Sequence, residues 1–432
     1  MARWESKMFA SLSHRNYRIY FTGAVISNIG TWIQRVAQDW LVLELSHHSA
    51  VAIGVTTALQ FLPALVLSPA GGLLADRMDK RLLLALTQSW MAVSSLVLGL
   101  LAVSGVAQTW HVYLIAFVFG IGSAVDVPAR QAFVTEVAGR DNLTNAIGLN
   151  SASFNAARLI GPGVAGLIIA AWGSGWAILT NALSYVAMLV ALALLDTDEL
   201  ERPERVTRAK GQVREGFRYV AARPELLIAL GVGFAVGTFA LNFQLTNAVM
   251  VSNEFKLGAE SYGLAGSVMG IGSLAGALIA ARRAQAPPLR YVVGASLVFA
   301  LLLGILGFMP DYPAYLVLLP LVGLAGLLTM TATNMFVQTT TDPMLRGRVM
   351  ALYAMVMMGG TPLGAPLMGW FAQVLGPRAP LWGGALLQVV TIAVVVGVVR
   401  LRVRGAAPPP ESEQQVASPA DQVAAQVALP PE

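Results

Sequence analysis

The chain reads as an all-α membrane protein, with twelve transmembrane helices in two pseudo-symmetric six-helix halves, and three observations lead there. Of its 432 residues, 56% are hydrophobic and 12% charged, a charged share about half that of an ordinary soluble domain. Apolar runs of the roughly 20 residues needed to cross a bilayer recur twelve times. A shift of 203 positions brings Phe133-Val134 onto Phe336-Val337, Gly161 onto Gly364 and Gly166 onto Gly369, so the last six runs repeat the first six.

The spans run approximately over residues 17–45, 50–75, 82–105, 110–137, 143–171 and 175–195, then 225–252, 260–281, 289–309, 313–340, 347–374 and 380–400. Residues 1–16 precede them, and 17–195 and 225–400 are the two halves. Between the halves, residues 196–224 form a polar linker rich in Arg and Glu. Its stretch Val213 to Val220 is amphipathic and expected to lie along the membrane surface. The tail, 401–432, turns to Ala, Pro, Gln, Ser and Glu, a composition that buries too little apolar surface to fold. Met1 to Arg18 carries four basic residues but no short apolar core with a small-residue cleavage site, so no removable signal peptide is expected.

Basic residues orient the bundle. With both termini in the cytoplasm, 23 of the 28 Lys and Arg fall on the cytoplasmic side, Lys256 and Arg378 face outward, and Arg35, Arg130 and Arg158 lie within spans. That bias is the positive-inside rule for a multi-pass protein of the cytoplasmic membrane. The net charge of +5 is therefore spread over loops and does not form the basic face that nucleic-acid binding needs. With no cysteine, disulfides and thiolate metal sites are ruled out. His14, His47, His48 and His111 sit at span ends without metal-ligand spacing. No phosphate-binding Gly-x-x-x-x-Gly-Lys-Ser/Thr and no nucleophile–base set occurs. The reading is of a non-enzyme without cofactor or metal. Its partners would be a small-molecule substrate, protons and the lipid bilayer, and it is expected to act as a monomer.

A charge inside a spanning helix costs several kcal/mol unless it is paired or faces water, so each one marks a candidate site. Arg35 and Asp39 are one turn apart in span one. At 1.5 Å per residue from an entry near Tyr20, Asp39 lies towards the outer boundary. The pair is either an interfacial salt bridge beside Trp40 or a site where Asp39 takes up a proton. Asp126 and Arg130 form a second i, i+4 pair in span four, beside the helix-bending Pro128. They either neutralise each other or serve a cytoplasmic gate, with Arg130 in reach of the loop at Asp76. Arg158 has no carboxylate within a turn on span five. Asp39 on the neighbouring helix is one partner for it, and an anionic or polar substrate group is the other. Asp39 and Asp126 are thus the proton-coupling candidates, and Arg35, Arg130 and Arg158 their partners or substrate contacts. Softer candidates are the polar residues Asn242, Gln244 and Asn247 in span seven and Asn334 and Gln338 in span ten, which could line a cavity or bond one another. Met350, Met355, Met357, Met358 and Met368 in span eleven suit a binder of varied apolar molecules, though methionine also serves as filler.

Between spans two and three stands Gly71-Gly72-Leu73-Leu74-Ala75-Asp76-Arg77-Met78-Asp79-Lys80-Arg81, with five charges in its last six positions. Gly72 followed by Asp76-Arg77 and then Lys80 and Arg81 resembles the loop signature of the major facilitator superfamily. The family usually has Gly where this chain has Asp79, and Asp tolerates left-handed turns better than most residues. Gly276 to Arg283, after span eight, resembles a decayed copy with Ala280 in place of Asp76. Asp76 is accordingly expected to hold the outward-facing state across the cytoplasmic side. Gly161-Pro162-Gly163-Val164-Ala165-Gly166 resembles the superfamily's antiporter signature, with Ala165 replacing a Gly. It implies a hinge or packing seam at Gly161, Pro162 and Gly166.

Asn28-Ile29-Gly30-Thr31-Trp32, Pro128-Ala129-Arg130-Gln131-Ala132-Phe133 and Asn155-Ala156-Ala157-Arg158-Leu159-Ile160-Gly161-Pro162 together resemble the transmembrane secretion effector branch. That branch is the third drug:proton antiporter group, with enterobactin-exporter-like and macrolide-efflux-like members. The resemblance implies the major facilitator fold and export of a small amphipathic molecule, drug- or siderophore-like, driven by proton entry. A nutrient uptake permease of the same fold, or a non-transporting membrane receptor or assembly factor, would share most of these features.

Overall fold

The computed structural model describes residues 10–200, 212–283 and 285–405. Its first half contains α1 (Arg15–Leu45), α2 (Ala50–Arg77), α3 (Lys80–Val103), α4 (Thr109–Gly139), α5 (Asn142–Trp172) and α6 (Ser174–Ala193). A short α7 (Gln212–Ala221) occupies the linker. The second half contains α8 (Pro224–Glu254), α9 (Ala259–Ala281), α10 (Leu289–Leu306), α11 (Tyr312–Thr340), α12 (Arg346–Leu375) and α13 (Ala379–Gly405). Eleven of these, among the described residues, are long and apolar enough to span a membrane. The twelfth span is α1, which is 31 residues long but carries Arg15, Arg18, Arg35, Asp39 and Glu44. The amphipathic stretch foreseen in the linker is helical, whereas most of the tail lies outside the described residues. Helix α13 runs on to Gly405, past the expected end at residue 400.

Local chemistry sets the boundaries. Ser49 caps α2 by accepting from Ala52 N, and Asp311 caps α11 by accepting from Ala314 N at 2.9 Å, satisfying amides that have no partner within the helix. Helices α4 and α5 are continuous except at Gly139, whose φ of 71° breaks them and is open to glycine at little cost. The charged loop is shorter than the sequence suggests: Asp76 and Arg77 belong to the last turn of α2, Lys80 and Arg81 to the first of α3. In α8, a π-helical turn at Val236–Ala240 runs into an unwound Leu241-Asn242, and a second, at Met250–Glu254, follows the regular stretch Phe243–Val249. Such breaks are tolerated in membranes where protein or a water-filled space replaces the lost backbone bonds.

An even number of crossings puts both ends of the helical bundle on one face, the terminal face, with the other face distal. The repeat has a packing consequence. Gly161 lies against Trp32 of α1, and its counterpart Gly364 against Thr238 of α8, so each seats the first helix of its own half. Gly166 lies against Ala259, Glu260 and Gly263 of α9, and its counterpart Gly369 against Ala50 and Val51 of α2. These two seat the second helix of the opposite half. Close backbone approach of this kind is what small residues provide in membranes, where no hydrophobic force drives helices together.

Candidate functional site

The two halves meet along two seams, α5 with α9 and α2 with α12, closed at the distal face. Besides Gly166 and Gly369, Gly54 packs on Ala365 and Pro366. Asn253 Nδ2 donates to His48 O at 2.9 Å. Towards the terminal face the hydrogen bond and glycine contacts that reach furthest along the seams are Ser267 Oγ donating to Leu159 O at 2.7 Å, Gly270 on Leu159 and Gly359 on Leu65. Beyond them the same helix faces continue as Ala152 and Ala156 on α5, Leu278 and Ala281 on α9, and Met355 and Met358 on α12, all exposed. The central space opens to the terminal face.

Asp39 lies at the top of this space, 4% exposed. Tyr262 of α9 donates its hydroxyl to Asp39 Oδ2 at 3.1 Å, and its ring stacks on Trp40 at 6.0 Å and 22°. The same hydroxyl is 3.3 Å from Gln244 O. The carboxylate is therefore bound by the opposite half and forms no ion pair with Arg35, contrary to the i, i+4 expectation. The Arg35 guanidinium stands over the rings of Trp32 at 5.0 Å and Phe61 at 5.6 Å, and its buried Nε has no hydrogen-bond partner. Nor does Asp39 serve Arg158, which has no hydrogen bond or ion pair among the described residues and feels the like charge of Arg35.

Asp126 and Arg130 do pair as the spacing predicts. Asp126 Oδ2 accepts from Arg130 Nε at 3.2 Å and Nη2 at 3.1 Å, and Oδ1 accepts from Thr87 at 2.8 Å and Gln88 at 2.7 Å. The group is sealed within the first half. Removing one member of a buried pair leaves the other uncompensated, at a cost of about 3–5 kcal/mol. Asp126→Asn is thus expected to lower the thermal unfolding temperature of the purified protein markedly, and an unchanged melting curve would contradict this structural reading.

Nor does Arg130 reach the charged turn between α2 and α3. The α4 residue that does is Glu136, within the expected fourth span but not among the candidates above, which pairs with Lys80. Arg81 Nε and Nη2 donate to Leu192 O at 2.7 Å and Ala193 O at 3.1 Å, closing the carboxyl end of α6. Asp76 and Arg77 are exposed. Asp79 adopts no left-handed turn: at φ −62° and ψ 121° it is the N-cap of α3, accepting from Leu82 N at 3.0 Å. Gly71, beside Gly72, lies against the carbonyl of Ala124, which Pro128, lacking an amide hydrogen, leaves without its usual partner.

Pro162 and Gly166 of the antiporter-like segment lie in the α5–α9 seam, Pro162 touching Gly263 and Gly266, while Gly161 faces its own half. The polar candidates divide. Asn247 is buried and accepts from the Tyr315 hydroxyl at 2.6 Å. Asn242 is buried at the break in α8, donating to Thr238 O at 2.8 Å with its Oδ1 unpartnered. Gln244 is half-buried, and Asn334 accepts from the exposed Gln338 at 2.8 Å. Tyr262, the seam's main polar contact, is a lone tyrosine in the first turn of a span, 223 residues from its partner, and nothing in the local pattern marks it.

Similar proteins share this architecture. The staphyloferrin A transporter of Staphylococcus aureus (strain NCTC 8325 / PS 47) is 26% identical over 364 residues, 83% of this chain and 90% of its own. The enterobactin exporter of Shigella flexneri is 24% identical over 405 residues, covering 92% and 96%. Among solved structures, a bacterial homologue of the human lysosomal transporter Spinster, inward-facing and unoccupied, superimposes with a TM-score of 0.65 at 16% identity, covering 92% of this chain and 99% of that one. The family model described as transmembrane secretion effector matches residues 6–428, and the chain belongs to that family of major facilitator transporters.

Proposed function

We propose that the protein exports small amphipathic molecules, drug- or siderophore-like, across the cytoplasmic membrane by proton-coupled alternating access, acting as a monomer with both termini in the cytoplasm. The basic-residue bias assigns the terminal face to the cytoplasm, which makes the conformation described above inward-open. Export is favoured by the relatives named as an enterobactin exporter and a staphyloferrin A transporter. The observation that carries the coupling is the buried hydrogen bond from Tyr262 to Asp39 across the closed distal seam. Sealing a charged carboxylate away from water is costly and adding a proton removes that cost, so proton occupancy of Asp39 and seam closure are linked. The groups facing Asp39 are Arg35 on its own helix and Tyr262 on α9, so the link runs between the halves. Asp126, satisfied inside the first half, has a lesser claim to the proton.

Everted membrane vesicles test the reading directly. With an acidic lumen, a panel of amphipathic drugs and siderophores should contain compounds that accumulate inside while protons leave, as read by a pH-sensitive dye. Accumulation confined to right-side-out vesicles would instead indicate uptake, and no flux of any compound would indicate a receptor. The opposite state is assigned to the α2–α3 turn: Asp76→Asn is expected to lose transport while keeping ligand binding by the purified protein. Lost binding would count against that role.

A further inference from the structure

We propose that Arg35 and Arg158 form an anion-recognition site in the central space and that the substrates are aromatic carboxylates. The inference rests on the export reading only in taking that space as the substrate path. Helices α1 and α5 run side by side in the same direction, tied by Asn28 Nδ2 donating to Ser153 Oγ at 3.1 Å, by an edge contact of Trp32 with Phe154 at 5.8 Å, and by Gly161 on Trp32. These contacts bracket the level of Arg158 between Phe154 and Gly161, beside Trp32. Arg35 is three residues further along α1, about 4.5 Å at 1.5 Å per residue. The two guanidiniums feel each other's charge.

Neither is ion-paired with an acid among the described residues, although Asp39 faces Arg35 one turn along α1. Arg35 Nε is buried without a hydrogen-bond partner. Asp39, the acid that faces Arg35, accepts a hydrogen bond from Tyr262, a neutral donor that leaves its charge in place. Asp39 offsets at most one of these two cations, an excess charge that is costly in a membrane protein, and the rings beside Arg35 leave its planar fork unpaired. Arg158 also shares a helix face with Pro162, one turn on, which touches Gly263 and Gly266 of the opposite half. Leu159, next to it, accepts the Ser267 hydrogen bond and packs on Gly270 of α9. Arg158 therefore stands at the inner end of the closed seam, half-buried, where the central space begins.

A carboxylate fits this arrangement, because its two oxygens match guanidinium forks and its charge offsets their repulsion. Trp32, Phe61 and Phe154 around the pair supply flat apolar surface for an aromatic body carrying that carboxylate. A cationic group would add a third positive charge, and a neutral one would leave the buried donors unmatched.

The test uses full-length purified protein and three probes of one shape: naphthalene-2-carboxylate, its neutral carboxamide and 2-naphthylmethylammonium. In calorimetric titrations the carboxylate should bind about tenfold or more tighter than the amide, as a hydrogen-bonded charge implies, and the ammonium should not bind. Arg35→Gln and Arg158→Gln should each bring the carboxylate's affinity down to that of the amide, and Arg290→Gln, on the terminal face, should leave the preference intact. On the unsubstituted protein, the carboxylate alone should protect Arg158 from phenylglyoxal, which keeps the test independent of how the variants fold. Equal affinity for acid and amide, no binding of the carboxylate, a preference that survives in Arg158→Gln, or undiminished phenylglyoxal reaction would each overturn the proposal. Loss of proton-driven flux with this preference intact would refute the export reading alone; the converse result would refute the anion site alone.

Discussion

Asp39→Asn is expected to reduce accumulation driven by a pH gradient in everted vesicles by about tenfold or more, the scale of a coupling free energy of 1–3 kcal/mol. Exchange of substrate across the membrane without a gradient should persist. An asparagine side-chain oxygen can still accept from the Tyr262 hydroxyl, so the closed seam keeps its geometry while losing the group that changes charge. Tyr262→Phe acts differently. It removes the donor and leaves a buried carboxylate short of its partner, which costs about 1–3 kcal/mol or more. That variant should retain a pH response but populate the closed distal seam less. Full gradient-driven accumulation in Asp39→Asn would remove this carboxylate from the coupling mechanism.

Gly166→Leu is expected to prevent closure of the distal seam. The groups around Gly166 are backbone atoms of Ala259, Glu260 and Gly263, which cannot rotate aside as a flexible side chain can, so an added side chain must push α5 and α9 apart. Overpacking of this sort costs about 1–3 kcal/mol, occasionally more, and here the cost falls on one conformation only. The protein should fold, remain open at the distal face and transport poorly. Absence of cysteine makes the measurement clean, since a pair introduced at His48 and Asn253, joined across the seam at 2.9 Å, is the only pair able to cross-link within a chain. Cross-linking should be efficient in the otherwise unaltered chain and fall several-fold with Gly166→Leu or its repeat counterpart Gly369→Leu. Gly397→Leu should have no effect, because nothing lies within 4 Å of a side chain added there. Undiminished cross-linking in Gly166→Leu would show that the seam accommodates the bulk and that the glycine has another role.

Two acid–base pairs of identical spacing show how far local sequence reaches. Asp126 and Arg130 form the ion pair their i, i+4 positions suggest, because Thr87 and Gln88 of α3 complete the carboxylate's bonding from one side. Arg35 and Asp39 have the same spacing and do not pair, because α9 brings a hydroxyl to the acid while Trp32 and Phe61 hold the guanidinium. The charged turn shows the same limit. Its place between two spans was legible from charge density, whereas the divided roles of Lys80 on Glu136, Arg81 on α6 and Asp79 as an N-cap depend on which helix ends gather there.

By itself, then, the sequence determined the twelve crossings, the basic bias between their faces, the duplication of the halves and the Asp126–Arg130 pair. Each follows from bilayer thickness, helical period or composition, properties that neighbouring residues carry together. Only the tertiary structure decided that Asp39 answers to Tyr262, that Gly166 and Gly369 face the opposite half while Gly161 and Gly364 face their own, and that neither Arg35 nor Arg158 is ion-paired with an acid among the described residues. Those outcomes depend on which helix faces meet at contact distance, and in a bundle where most faces are equally apolar, hydrophobicity does not choose among them. Close packing and a few buried polar groups do.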